Sequence, residues 1–157
     1  MHDATVDYEL LAAQVTALGE GESLRLPVLA NVSALIDEAL PDVSWVGFYL
    51  SDGAGQLVLG PFQGKVACMR IDWGKGVCGT AAQLDETQLV PDVHAFPGHI
   101  ACDSASRSEV VVPIHENRRV TGVLDLDSTS LARFARQDAD GLELVVGALE
   151  RMLPVLA

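Results

Sequence analysis

Two runs of β-forming residues, Glu109–His115 and Val120–Asp127, flank the turn-forming Glu116-Asn117-Arg118. Such a pattern closes into an antiparallel hairpin, and successive strand residues alternate between its faces. Val120, Gly122, Leu124 and Leu126 share one face, and Thr121, Val123, Asp125 and Asp127 share the other. On the partner strand Val110, Val112 and Ile114 share a face, with Glu109 and Val111 opposite. A turn centred on Asn117 pairs Glu109 with Asp125. It gathers Glu109, Asp125 and Asp127 on one side of the sheet, roughly 5–8 Å apart by cross-strand spacing. A two-residue turn shifts the register by one and sends Glu109 to the wrong side.

The rest of the chain supplies partners for this hairpin. Residues 5–40 read as helical, with Leu10, Leu11, Val15 and Leu18 at helical spacing, a break at Gly19-Glu20-Gly21, and a stop at Pro41. Trp45–Leu50 and Gln56–Leu59 form a first hairpin around Ser51-Asp52-Gly53-Ala54-Gly55, and Ala67–Ile71 reads as a third strand. Gly74-Lys75-Gly76 leads into a short helix over Val77–Gln83, and Leu89-Val90 is a brief strand. Pro91 to Arg107 has turn composition and holds His94, His99 and Cys102. A loop this long in a compact domain points to function. Phe134–Leu153 is a closing amphipathic helix, ended by Pro154. The expectation is one α+β domain over 1–157. A helical region spans 1–40, a mostly antiparallel sheet with its loops spans 44–127, and a C-terminal helical segment spans 131–153.

With 157 residues, nearly half of them apolar, the chain can bury a real core. The net charge of −12 opposes nucleic-acid binding, because phosphates would be repelled. It suits a small polar substrate carrying an amino group, although acidity also serves solubility alone. No apolar run approaches a membrane span. The polar start Met1-His2-Asp3-Ala4-Thr5 does not read as a targeting peptide. A cytoplasmic location is therefore expected, where cysteines are more often catalytic or metal-binding than structural disulfides.

The candidate chemistry lies in the acids and the thiols. A solvated acidic sheet face is the plain reading of Glu109, Asp125 and Asp127. Val111 and Val123 on the same face argue instead for a partly covered pocket. Like charges held that close raise at least one carboxyl pKa, which makes a proton donor near neutral pH. Cys68, Cys78 and Cys102 are confined to one Gly- and Pro-punctuated stretch. An odd count leaves one sulfur free after any single disulfide. Cys68, in an apparent strand, is either a small buried hydrophobe or part of a site. Cys78 sits at a helix start, where the dipole favours a thiolate. Cys102, in the long loop beside Asp103, Ser104 and Ser106, is the expected nucleophile. Three cysteines with His94 or His99 could make a Cys₃His zinc site, but no CxxC knuckle is present and the spacings are wide. No metal is expected. Gly74-Lys75-Gly76 lacks the frame of a phosphate-binding loop. Trp45 and Tyr49, four apart on one strand face, are core aromatics or walls of a small-ligand pocket.

Several segments together resemble the free methionine-(R)-sulfoxide reductases, which are GAF domains turned to catalysis. They are Leu59-Gly60-Pro61-Phe62-Gln63-Gly64-Lys65 with Cys68, and Gly74-Lys75-Gly76-Val77-Cys78-Gly79-Thr80-Ala81-Ala82. Val93-His94-Ala95-Phe96-Pro97-Gly98-His99-Ile100-Ala101-Cys102-Asp103, Ser108–Ile114 and Gly122–Ser128 complete the likeness, which runs from about residue 25 to 150. It implies a GAF-like fold, with a central six-stranded, mostly antiparallel sheet and the N- and C-terminal helices packed on one face. It also implies Cys102 as the catalytic cysteine and Cys68 and Cys78 as resolving and recycling positions, in either order. Glu109, Asp125 and Asp127 become substrate-holding acids that assist proton transfer, and Trp45 and Tyr49 enclose the methyl sulfoxide end. The implied activity reduces free L-methionine-(R)-S-oxide to methionine and protects against oxidative damage. The implied reductant is thioredoxin (or dithiothreitol in its place), with no metal or organic cofactor, and homodimers are common among relatives. The rivals are a non-catalytic GAF sensor of a small ligand, a structural zinc module and a general thiol peroxidase.

Overall fold

The structure, a computed structural model, describes residues 5–157; Met1–Ala4, the start of the polar N-terminus, lie outside the described residues. Helices α1 (Tyr8–Gly19) and α2 (Arg25–Ala39) precede strands β1 (Trp45–Ser51), β2 (Gln56–Gln63) and β3 (Arg70–Asp72). Helix α3 (Gly76–Leu84), strands β4 (Gln88–Val90), β5 (Ser108–Glu116) and β6 (Arg119–Ser128), and helix α4 (Arg136–Met152) follow. One turn of 3₁₀ helix, Val93–Ala95, interrupts the loop between β4 and β5. Helix α1 begins where the Asp7 carboxylate accepts a hydrogen bond from the Leu10 N–H at 2.9 Å, satisfying a donor that has no partner within the helix.

The six strands form one sheet in the order β3-β2-β1-β6-β5-β4, and every pairing is antiparallel. Strand alternation divides it into two faces. Val46, Phe48, Val110, Val112, Ile114, Leu124 and Leu126 pack on α1, α2 and α4. Trp45, Tyr49, Val111 and Val123 point the other way, under Val77, Cys78, Ala81 and Ala82 of α3. The terminal helices thus share one face, as expected, and α3 roofs the opposite one. The acids of the second hairpin lie beneath that roof.

The register of this hairpin differs from the expected one. Asn117 and Arg118 both have positive φ, +51° and +64°, so a two-residue turn joins Glu116 to Arg119. Taken alone, that turn would put Glu109 on the helix-packed face. A bulge prevents it. His115 pairs with Val120 but Ile114 pairs with Gly122, leaving Thr121 as an extra residue in β6. The extra residue restores parity. Glu109 therefore faces Asp127 and Val111 faces Asp125, in place of the expected Glu109–Asp125 pair. All three acids still project from one side. Elsewhere, β3 starts only at Arg70, so Cys68 lies in the irregular segment before it, not in a strand. The first hairpin is longer than its apolar signal, because Gly60, Pro61 and Phe62 continue β2.

Candidate active site

Strands β1 and β6 build the floor of the site. Their pairing aligns Trp45 with Asp127, Gly47 with Asp125 and Tyr49 with Val123. An aromatic strip therefore runs alongside an acidic one. Trp45 stacks on Tyr49 at 5.9 Å and on Phe62 at 5.2 Å between ring centroids, within the favourable range for offset aromatic pairs. Gly47 makes this possible. A Cβ there would lie 2.9 Å from both Trp45 Cη2 and the Phe62 Cα, so only glycine lets the indole fold back over the strand.

The aromatics also hold the chain that carries Cys68. Trp45 Nε1 donates to the Lys65 carbonyl at 3.1 Å, and the Tyr49 hydroxyl donates to the Cys68 carbonyl at 2.9 Å. Cys68 is half-buried and disulfide-bonded to Cys102, with Cα atoms 5.3 Å apart. Cys102 comes from the β4–β5 loop, whose base is tied by Val93 N–H to the Arg107 carbonyl and Arg107 N–H to the Ser128 carbonyl. The disulfide closes one side of a cavity of about 40 Å³. Trp45, Tyr49, Cys78, Glu109, Asp125 and Asp127 line it together with Cys102. Cys68 joins them through its bond to Cys102, so every residue expected at the site meets around one small space.

Cys78 keeps a free, buried thiol. It donates to Glu109 Oε1 at 3.9 Å. The helix start is expected to favour its thiolate, but burial dominates, and the charges of Asp125, Glu109 and Asp127 push the same way. The thiol stays protonated far above its ordinary range. This corrects the reading of Cys78 as an activated sulfur: the dipole of a nine-residue helix does not offset a dry, acidic surrounding.

The carboxyls follow the same physics. Burial, then the charges of Asp125 and Asp127, hold Glu109 protonated well above the usual carboxyl range. Asp127 is raised well above its range by burial and by Asp125 and Asp103. Asp125 is raised by burial too, but hydrogen bonds from Glu109 and Cys78 pull it back. Asp125 is thus the carboxyl of the three that gives up its proton most readily, and Glu109 and Asp127 hold theirs to higher pH. Asp125 Oδ1 is buried with no hydrogen-bond partner among the described residues, although its residue lines the cavity.

Sequence reasoning misses part of the lining. Lys75, Ile100, Asp103 and Ser106 all reach the cavity. The Ser106 hydroxyl is buried and also lacks a partner among the described residues. Lys75 stands just before α3, in a segment whose sequence suggests only an incomplete phosphate loop. Nothing in the sequence marks Ser106 apart from the other serines of its loop. Of the two histidines, His99 lines the cavity and is held neutral by burial and by His94, whereas His94 is exposed and stays outside it.

Known proteins share this fold and much of this sequence. The GAF domain signature matches residues 25–153. The chain is 51% identical, over 93% of its length and 88% of the relative's, to the free methionine-R-sulfoxide reductase of Escherichia coli. The chain belongs to this reductase family, on a GAF fold. It is 46% identical to the reductase of Saccharomyces cerevisiae of the same name, over 86% of this chain and 79% of that one. The free methionine-R-sulfoxide reductase of Neisseria meningitidis, solved in complex with its substrate, superposes with a TM-score of 0.92 at 42% identity, covering 99% of this chain and 95% of that one. Among the described residues no helix is long and apolar enough to cross a membrane.

Proposed function

We propose that this protein reduces free L-methionine-(R)-S-oxide to L-methionine. One observation carries the reading: the Cys68–Cys102 disulfide closes the same cavity that Trp45 and the Glu109–Asp125–Asp127 cluster line. A thiol pair that cycles between two states thus sits beside a proton donor, a cation-binding charge and an apolar wall. Free methionine sulfoxide offers a matching set: a basic S=O oxygen, an α-ammonium and a methyl group.

With the disulfide reduced, the Cys102 thiolate attacks the sulfoxide sulfur. The oxygen gains negative charge as the S–S bond forms, and a protonated carboxyl delivers a proton to it. Glu109 holds such a proton. The hydroxyl then passes from the substrate sulfur to the Cys102 sulfur as the S–S bond breaks: the substrate S–O bond is lost, methionine leaves with the electron pair of the S–S bond, and Cys102 becomes a sulfenic acid. The Cys68 thiolate displaces that oxygen as water and forms the disulfide. The bond between Cys68 and Cys102, and the buried protonated state of Cys78, support Cys68 as the first resolving thiol. Thioredoxin, or dithiothreitol in its place, returns both thiols by exchange. The step needs no metal or organic cofactor, since all electrons come from thiols.

The acids confine the substrate to the free amino acid. The negative charge of ionised Asp125 pairs with the α-ammonium, which a methionine within a polypeptide lacks. A cytoplasmic homodimer completes the reading. It is supported by the family resemblance and by the exposed Leu10, Leu18, Leu24 and Leu26 on and beside α1 and α2. The test offers each epimer of free methionine sulfoxide, and the same epimers within a peptide, to the protein with dithiothreitol or thioredoxin. Methionine is expected from the free R epimer alone. Turnover of peroxide with indifference to sulfoxide chirality would replace this reading with that of a thiol peroxidase.

A further inference from the structure

Cys78, Glu109 and Asp125 come from three different elements, α3, β5 and β6, and sequence spacing hides their proximity. In the folded chain, one ligand-type atom of each lies within 4.8 Å of the others, and all three residues are buried. Asp125, a lining residue of the cavity, has its Oδ1 buried with no hydrogen-bond partner among the described residues. The absence of a CxxC knuckle excludes a zinc finger, but it does not bear on a site assembled by the sheet.

The geometry points to a binding site for a thiophilic divalent cation, Zn²⁺ or its analogue Cd²⁺, held by Cys78 Sγ and one oxygen each of Glu109 and Asp125. In a tetrahedral zinc site, bonds of about 2.3 Å to sulfur and 2.1 Å to oxygen place those two ligand atoms about 3.6 Å apart. Cys78 Sγ and Glu109 Oε1 are 3.9 Å apart, so a small contraction brings them into range. One thiolate with two carboxylates selects a borderline-soft ion over Mg²⁺ or Ca²⁺, which prefer oxygen alone. Three protein ligands leave a fourth position open. All three ligand residues line the cavity, and so does Cys102. The bound ion and the substrate would therefore exclude one another, and the metal is an inhibitor of the reduced enzyme. The site itself does not depend on which substrate the cavity takes.

A Cys68→Ser/Cys102→Ser variant cannot form the disulfide, so it needs no metal-chelating reductant and retains Cys78 as its sole thiol. Titration with Cd²⁺ is expected to show one ion per chain and an ultraviolet thiolate-to-metal charge-transfer band. Further replacement of Cys78 by Ser should remove the band, and Asp125→Asn or Glu109→Gln should lower affinity at least tenfold. Excess Mg²⁺ or Ca²⁺ should not displace the ion. Absence of the band in the double variant overturns the site. So does a band that persists in the protein carrying Cys78→Ser alone with the other thiols reduced, at unchanged affinity, because the ion then sits on Cys68 and Cys102. Should Cys78→Ser fail to fold, the two carboxyl variants decide, and unchanged affinity in both rejects the proposal.

Discussion

The Tyr49 hydroxyl donates a 2.9 Å hydrogen bond to the carbonyl of Cys68. An aromatic of the sheet floor thereby sets the position of one half of the disulfide. Tyr49 is buried, and burial together with the surrounding acids holds its phenol protonated at any accessible pH, so the bond persists across the working range. Tyr49→Phe keeps the ring and removes the donor, a loss of about 1 kcal/mol. Attack by Cys102 should proceed, whereas closure of the disulfide should slow about fivefold. Rapid-quench assay of methionine, with trapping of the sulfenic acid by dimedone, separates the two steps. Equal slowing of both would show that Tyr49 positions substrate and not Cys68.

Assignment of the thiols predicts three distinct phenotypes. Cys102→Ser should abolish methionine formation while leaving the fold intact. Cys68→Ser should release about one methionine per chain and then stall with thioredoxin, because the sulfenic acid has lost its resolving partner. Cys78→Ser should still form the Cys68–Cys102 disulfide. Thiol counting checks the last point: one free thiol in the oxidised wild type, none in the oxidised variant. Loss of disulfide formation in Cys78→Ser would move the resolving role to that residue.

The buried acids give stability a defined dependence on pH. The carboxyl of Glu109 has a folded-state pKa raised well above its unfolded value by burial and by Asp125 and Asp127. The folded chain therefore holds a proton that the unfolded chain gives up above about pH 4.3. Its contribution is complete below that pH and is lost as pH rises toward the folded-state value. Glu109→Gln keeps a neutral, hydrogen-bonding side chain and ends this loss. The variant should melt several degrees above wild type at pH 7, with the difference shrinking toward pH 4, while activity falls at least a hundredfold as expected for loss of a general acid. Thermal melts of both proteins from pH 4 to 8 test the sign. A Gln variant less stable than wild type at pH 7 would mean that Glu109 is ionised in the folded state. Asp125→Asn, which removes the most readily ionised carboxyl of the three, should also cut activity strongly; a rate near wild type would leave the acids without a role.

Much of this is legible in the sequence, and for physical reasons. Strand alternation puts Glu109, Asp125 and Asp127 on one side because the side-chain period is two, and any even change of register preserves it. The exact partner is not legible. It depends on a two-residue turn at Asn117-Arg118 and a compensating bulge at Thr121, and neither has a signature in apolar patterning. Trp45 and Tyr49 are readable as a pair for the same periodic reason. The state of Cys78 escapes a sequence reading because a helix start is local, whereas the acids that keep the thiol protonated arrive from β5 and β6. Lys75 and Ser106 escape it because the entry to α3 and the β4–β5 loop meet at the cavity only in the folded chain, and an isolated lysine or serine carries no pattern of its own.

Gly47 is a position where the fold has little tolerance for a single added methyl group. It lies between Trp45 and Tyr49 on the cavity face of β1, opposite Asp125 of β6 and Phe62 of β2. A Cβ at this point would collide with the Phe62 Cβ and sit 2.9 Å from both the Phe62 Cα and Trp45 Cη2. The indole can swing away, but the Phe62 backbone is held in the β1–β2 ladder and cannot. Gly47→Ala should therefore expel the Trp45 ring toward the cavity and loosen its bond to the Lys65 carbonyl. Overpacking of this kind costs about 1–3 kcal/mol, a fall in melting temperature of roughly 2–12 °C for a chain of this size. The displaced ring would also take up the space proposed for the substrate's methyl group, so KM should rise more than kcat falls. Melting curves and steady-state kinetics of the one variant test both effects. A variant with wild-type stability and raised KM would show that the strand yields and only the pocket suffers. A variant with lowered stability and unchanged KM would remove Trp45 from the substrate's surroundings.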